Sequence, residues 1–284
     1  MKKIITICGP TGIGKTNFAI DIARHFNGEI IGADSMQIYK YMDIGTAKPD
    51  SDELKMAPHH LVGFLDPKQG FDAGQYADQA GKVIDSLSEK GRLPIVAGGT
   101  GLYIRALLHG LFRARPVCEK RLSELTRLQG EHGSLFLHEQ LKICDPVAAE
   151  KIHPNDSFRV IRALEFFQTT GQPISNKQMA HDFKASRYQS LTIGLFMDRK
   201  QLYERINQRV DSMIRQGLLS EVNSLIEQGY SLDLNPMQSI GSRHMGMFLK
   251  QEVDFEEAVR LLKRDTRRYA KRQFTWFNRE KNLI

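Results

Sequence analysis

Gly9-Pro10-Thr11-Gly12-Ile13-Gly14-Lys15-Thr16 is a complete G-x-x-x-x-G-K-[ST] phosphate loop. Its glycines let successive backbone N–H groups converge on phosphate oxygens. Lys15 adds a positive charge, and the Thr16 hydroxyl suits Mg²⁺. Gly9, Thr11, Gly12, Ile13, Gly14, Lys15 and Thr16 are thus candidate anion-binding residues. Such a loop binds a di- or triphosphate without specifying which. A nucleotide kinase, an NTPase and a transferase that expels pyrophosphate all stay open at this point. Two further segments carry groups suited to chemistry. Asp34, in Gly32-Ala33-Asp34-Ser35-Met36-Gln37-Ile38-Tyr39, offers a carboxylate that holds Mg²⁺ through water, accepts a proton, or serves only as a helix cap. Gly98-Gly99-Thr100-Gly101-Leu102-Tyr103 offers backbone donors and a hydroxyl, or is an ordinary strand-to-helix turn.

Residues 3–8 are rich in isoleucine and run straight into the phosphate loop, which predicts a buried parallel strand. Phe18, Ala19, Ile22, Ala23 and Phe26 then recur at helical spacing. Glu29–Gly32 and Leu93–Ala97 read as further short strands, with a helical pattern over Tyr76–Lys90 between them. Strands alternating with helices predict an α/β fold: a P-loop NTPase-like core whose parallel sheet is flanked by helices. In such sheets the carboxyl ends of the strands face the ligand crevice, which places Asp34 and Thr100 beside the phosphate loop. From Pro116 to Ser186 strand signals vanish and the pattern is helical, polar and basic. Leu191–Met197 restores a strand, followed by helical stretches over Lys200–Gln216, Leu218–Gln228 and Phe255–Phe277. The expected organisation is a catalytic core of residues 1–115 and 187–284, interrupted by a mostly helical insertion over 116–186.

The chain has 284 residues, 41% of them hydrophobic, enough for a large core. Its apolar runs all fall short of the roughly 18 residues that cross a bilayer. The N-terminus lacks a signal-peptide pattern. Three cysteines, Cys8, Cys118 and Cys144, have no metal-ligand spacing and argue against a disulfide scaffold. A cytoplasmic protein without a membrane role is expected. The formal net charge of +7 permits a polyanionic partner.

In this order, the phosphate loop, Asp34-Ser35-Met36-Gln37-Ile38-Tyr39, Asp43-Ile44-Gly45-Thr46-Ala47-Lys48-Pro49, Pro58-His59-His60-Leu61, Gly98-Gly99-Thr100-Gly101-Leu102-Tyr103, His153-Pro154-Asn155-Asp156 with Arg159, Arg162, Ala163, Leu164 and Glu165, and Lys271-Arg272-Gln273-Phe274-Thr275-Trp276-Phe277 closely resemble bacterial tRNA dimethylallyltransferases, over residues 4 to about 277. The resemblance implies transfer of dimethylallyl from its pyrophosphate to the exocyclic amine of adenosine 37, beside the tRNA anticodon. It implies a phosphate loop that grips pyrophosphate where a relative would grip ATP, with Mg²⁺ as cofactor on Thr16 and Lys15 answering the departing charge. Asp34 matches the family's general base, and Thr100 a residue near the reacting centre. Arg205 and Arg209, at i and i+4 on one helical face, match arginines that approach the pyrophosphate. The tRNA-binding set implied is Asp34, Ser35, Met36, Gln37, Thr100, Arg121, Phe158, Arg159, Val160, Ile161, Arg162, Arg243, Arg268 and Arg272. The Gln37 amide suits an adenine edge, and the target base must leave its stack to reach the pocket. His59, His60 and His153 read as scaffold. The anticodon stem-loop is the expected partner, and a monomer the expected state.

Arg260, Lys263, Arg264, Arg267, Arg268, Lys271 and Arg272 step by three and four along the last helix. Like charges at these spacings repel by a few tenths of a kcal/mol per pair, and an anionic partner such as tRNA phosphate best explains the stripe. One departure from the family stands out. Ile240-Gly241-Ser242-Arg243 has serine where a tyrosine is usual, which predicts loss of an aromatic surface for tRNA. The competing readings are a small-molecule or nucleotide kinase, whose lid and adenine site are not identifiable, and a non-catalytic RNA-binding P-loop protein, against which Asp34, Thr100 and Lys15 argue together.

Overall fold

A computed structural model describes residues 1–111, 118–181, 186–280 and 283–284. Strands β1 (Lys3–Cys8), β2 (Gly28–Gly32), β3 (His59–His60), β4 (Leu93–Gly98) and β5 (Gln189–Gly194) form a parallel sheet in the order β3-β2-β4-β1-β5. Ile4, Ile7, Ile30, Ile31, Ile95 and Val96 are buried, as near-continuous apolar runs in a covered parallel sheet require. Register aligns Cys8 with Gly98 and with Gly194, and Gly32 with Ala97. The ends of β1, β2 and β4 therefore finish level. The chain leaves β1 for β2 on one side and β4 for β5 on the other. The crevice at their carboxyl ends is thus a topological switch point, the place where open α/β sheets bind ligands.

Helices α1 (Lys15–His25), α2 (Ser51–Met56), α3 (Ala73–Glu89) and α4 (Gly101–His109) serve this sheet. Ala19, Ile20 and Ala23 of α1 pack on Ile7, Ile30 and Ile95. Helices α3 and α4 meet through Tyr76 stacked on Tyr103, ring centroids 4.3 Å apart.

The described chain divides into Met1–Gly110 with Ser186–Ile284, and Leu111–Ala185. The expected boundary at 115/116 lies outside the described residues. The second unit contains α5 (Glu119–Cys144), which Gly133 breaks at φ 82°, α6 (Pro146–Lys151), α7 (Ser157–Thr170) and α8 (Ile174–His181). Leu125, Leu137, Leu141, Val160, Ile161 and Leu164 form its core. Asp145 is buried there and satisfied by the N–H groups of Ala148 and Ser175 at 3.0 Å each.

Helices α9 (Arg199–Arg215), α10 (Leu218–Glu227), α11 (Ile240–Leu249) and α12 (Phe255–Phe277) complete the first unit. Val210, Leu218, Val222, Met245 and Leu262 from these helices close on Ile38, Tyr39 and Met42. That packing fixes the irregular segment 33–50 against the sheet edge. Among the described residues, no helix is long and apolar enough to cross a membrane.

Candidate active site

Helix α1 begins differently from most of its neighbours. Asp50, Asp72, Asp145, Asp156, Asp198 and Asp254 cap α2, α3, α6, α7, α9 and α12 with their side chains. Position 14, at the start of α1, is glycine at φ 102° with no side-chain cap. The N–H groups of the first turn thus stay open to an outside anion, and the left-handed backbone favours glycine. Ile13 is 6% exposed and packs with Leu202, Ile206 and Ala270, so only its backbone serves the loop. Lys15 bends over the loop and donates to the Pro10 carbonyl at 2.8 Å. Desolvation pulls its ammonium down to about 8, opposed by the charge of Asp34. Arg209 reaches the Thr11 hydroxyl at 3.3 Å and the Ala47 carbonyl at 3.5 Å. Desolvation lowers its pKa also, again opposed by Asp34. The Arg205 guanidinium lies over Gly14.

Asp34 leaves the end of β2 beside this loop. Its Oδ1 accepts from the N–H groups of Met36 at 2.9 Å and Gln37 at 3.3 Å, so the carboxylate does cap the following turn. Its Oδ2 has no hydrogen-bond partner among the described residues and is open to chemistry. Thr100, in the turn after β4, accepts from the Ser35 N–H at 3.0 Å and lies beside the Tyr269 hydroxyl. The strands come this close because residue 98 is glycine: a Cβ there would collide with the Ala33 carbonyl.

Two clefts meet here. One, of about 860 Å³, is lined by Gly12, Gly14, Lys15, Thr16, Arg205 and Arg209. The second, of about 540 Å³, is lined by Ser35, Met36, Arg243, Arg268, Tyr269 and Arg272. Thr11, Asp34 and Arg209 border both. The two clefts differ in lining: the first gathers the phosphate loop with Arg205 and Arg209, and the second mixes Met36 and Tyr269 with Arg243, Arg268 and Arg272.

The structure alters several sequence expectations. The Gln37 amide nitrogen is committed to the carbonyls of Thr46 at 3.1 Å and Ala47 at 2.8 Å, so it organises the loop instead of lying free for an adenine edge. Val160 and Ile161 are buried in the helical unit's core, so their side chains are scaffold. Phe158 and Arg159 are exposed, and Arg162 pairs with the buried Glu165 at 2.6 Å. Arg121 donates to the Gln168 carbonyl. Ser242 is 1% exposed and lies beside Gly45, so the serine itself presents no surface to RNA. The cationic stripe is partly neutralised within the fold. Arg260 pairs with Glu257 and Lys263 with Asp211, while Arg243, Arg264, Arg268 and His244 gather on Asp265. These partners, the Arg264 hydrogen bond foremost, hold Asp265 down at about 2. Arg272 is exposed and lies over the Tyr269 ring. Of the histidines read as scaffold, His60 meets Glu29 at 2.8 Å and His153 Nδ1 accepts from the Asn155 N–H at 3.1 Å; His59 Nδ1 meets the Ala57 carbonyl, while its Nε2 has no partner among the described residues and His59 lines the first cleft.

Two organising residues escaped the sequence reading. The Glu221 carboxylate accepts the N–H groups of Asp43, Ile44 and Gly45 at 2.7, 2.6 and 2.9 Å, fixing the loop that walls both clefts. Gln273 ties the phosphate loop to the turn after β4. A glutamate near a helix start has no distinctive local signal, and the Gln273 motif gave no hint of its target.

Among the described residues, no cluster of His, Cys, Asp or Glu could hold a metal by itself. The Thr16 hydroxyl in the first turn of α1 does suit a cation that a bound phosphate brings, since Mg²⁺ keeps several waters and takes few protein ligands.

Sheet, loop and paired clefts define a P-loop protein whose phosphate-loop cleft adjoins a second, arginine-rimmed cleft. A family model described as IPP transferase matches residues 37–280. The tRNA dimethylallyltransferase of Desulfosudis oleivorans is 50% identical over 282 residues, 99% of this chain and 90% of the relative. That of Acetivibrio thermocellus is 48% identical over 284 residues, 100% of this chain and 91% of the relative. The crystal structure of a full-length tRNA isopentenylpyrophosphate transferase from Bacillus halodurans aligns with a TM-score of 0.74 at 42% identity, covering 100% of this chain and 89% of that one. A eukaryotic dimethylallyltransferase acting on tRNA aligns with a TM-score of 0.83 at 31% identity, covering 98% and 70%. The chain belongs to the IPP transferase family, and a kinase reading is not favoured.

Proposed function

We propose that this protein transfers a dimethylallyl group from dimethylallyl pyrophosphate to the exocyclic amine of adenosine 37 in the tRNA anticodon stem-loop, releasing pyrophosphate. The observation that carries the reading is Asp34, with Oδ2 open, at the meeting of the phosphate cradle and the second cleft. The allylic C–O bond breaks and its electron pair leaves with pyrophosphate. The amine nitrogen forms the new C–N bond and gives its proton to Asp34 Oδ2. N–H groups of Gly12, Gly14 and Thr16, the Lys15 ammonium, Arg205 and Arg209 stabilise the charge that grows on the leaving group. Mg²⁺ on Thr16 would supply further neutralisation of pyrophosphate. Thr100 positions the acceptor side through Ser35 and Tyr269. Arg243, Arg268 and Arg272 at the second cleft, with Phe158 and Arg159 on the helical unit, meet the RNA. The reading takes the protein as a cytoplasmic monomer.

The test is label transfer from radiolabelled dimethylallyl pyrophosphate to an anticodon stem-loop with adenines at positions 36, 37 and 38, in Mg²⁺. Asp34→Ala should lower the rate by about 10²- to 10⁴-fold, the range of a general base, while pyrophosphate affinity stays close to that of the unsubstituted protein. Full activity in Asp34→Ala would remove the base assignment. Absence of transfer by the unsubstituted protein, even with full-length unmodified tRNA, would remove the reaction.

A further inference from the structure

Gln273 lies on α12, 5% exposed, and both ends of its amide are used. Its Oε1 accepts from the Thr11 N–H in the phosphate loop at 2.8 Å. Its Nε2 donates to the Gly99 carbonyl, in the turn after β4, at 2.9 Å. The glycine at 99 is what admits it, since a Cβ there would strike Nε2. Tyr269, Gln273 and Trp276 sit at i, i+4 and i+7, one stripe of α12. The stripe meets the turn three times: Tyr269 on Thr100, Gln273 on Gly99 and Trp276 against Gly101. Only Gln273 also reaches the phosphate loop.

We infer that Gln273 is a positioning residue that fixes the distance between the half of the site holding the leaving group and the half holding the acceptor. This rests on the proposed prenyl transfer. Arg209 holds the Thr11 hydroxyl from α9 while Gln273 holds the Thr11 N–H from α12, so the loop is pinned from two helices. The Thr11 N–H is thereby withdrawn from anion binding, which falls to the amides of residues 12–16. Through Gly99 the same side chain sets Thr100, which touches Ser35 beside Asp34. The register matters chemically because the allylic carbon has two possible captors. When the adenine amine is in line, a C–N bond forms. When it is displaced, water attacks, giving dimethylallyl alcohol and pyrophosphate, with the water's proton released to solvent.

The substitutions are Gln273→Met, which keeps length and removes both hydrogen bonds, and Gln273→Glu, which keeps an acceptor for Thr11 and loses the donor to Gly99. In each, kcat for RNA transfer should fall about tenfold or more, with KM for both substrates within about threefold. The ratio of alcohol formed to RNA modified should rise several-fold, which a loss of folded protein would not produce. An unchanged ratio in a variant whose thermal unfolding matches the parent would overturn the proposal. A second measurement needs no variant and no transfer activity. Amide exchange at Thr11 should be slow in the free protein and unaltered by inorganic pyrophosphate, while the amides of 12–16 slow when it is added. Fast exchange at Thr11, protected only by pyrophosphate, would overturn the assignment even if transfer is confirmed. Absence of transfer with a slow Thr11 amide would leave the pin in place and remove its prenyl-transfer role.

Discussion

Lys15 shows what desolvation does to a single residue. Its ammonium rests on one carbonyl in a desolvated loop, which brings it to about 8 from an ordinary value of 10.5. A polyanion entering the loop supplies the missing countercharge and raises that value again. Binding therefore selects the protonated form. Below about pH 8 the free protein already carries the proton and affinity is flat in this group. Above it, each bound anion must bring a proton with it, so the apparent Kd rises toward tenfold per pH unit until the bound-state pKa is passed. Titrating pyrophosphate calorimetrically between pH 7 and 9.5 should show this rise together with proton uptake. Lys15→Met should bind weakly and retain only the ligand's own titration. A flat profile in the unsubstituted protein would mean that the lysine is charged throughout.

At the scale of elements, α11 and α12 are held by one carboxylate. Asp265 gathers Arg243 and His244 from α11 and Arg264 and Arg268 from its own helix. His244 is buried; its Nδ1 keeps the Ile240 carbonyl, but loss of Asp265 leaves its Nε2 without a partner. Arg268 and Arg243 are well exposed and count for little by comparison. Asp265→Ala should lower stability by about 1–3 kcal/mol, the range for an unsatisfied buried partner, visible as a fall in denaturant midpoint at unchanged m-value. These cross-ties also explain which parts of the protein could be read in advance. The phosphate loop, the alternating strands and the 23-residue α12 announce themselves because their signals are local: a fixed motif, a buried isoleucine run and a helical period. Segment 33–50 and the two-residue β3 have no such period; their conformation is imposed by Glu221 and by pairing with β2. Thr11 and Gln273 are 262 positions apart, and no spacing rule joins them. By sequence Asp265 is the one acid between Arg260 and Arg272. Only packing of α11 on α12 reveals it as the stripe's anchor.

The whole molecule carries a formal charge of +7, and the pairs around Asp265, Glu257 and Asp211 decide where that surplus is felt. Arg260, Lys263 and Arg264 are neutralised within the fold. Arg272 is exposed at the rim of the second cleft without a carboxylate partner among the described residues, and Arg268 is 62% exposed with only a long contact to Asp265. RNA affinity driven by phosphate contacts falls linearly in log–log form with salt, because each contact releases condensed counterions. Arg268→Ala and Arg272→Ala should each weaken stem-loop binding and reduce the magnitude of the salt slope by about 1. Arg260→Ala, on the same stripe but paired with Glu257, should leave both nearly unchanged. Filter binding or anisotropy at several salt concentrations separates these cases. Equal slope losses in all of these variants would mean that the whole stripe contacts phosphate and that RNA draws Arg260 away from Glu257 on docking. A loss confined to Arg268 and Arg272 would locate the phosphate backbone along the second cleft, next to the carboxylate of Asp34.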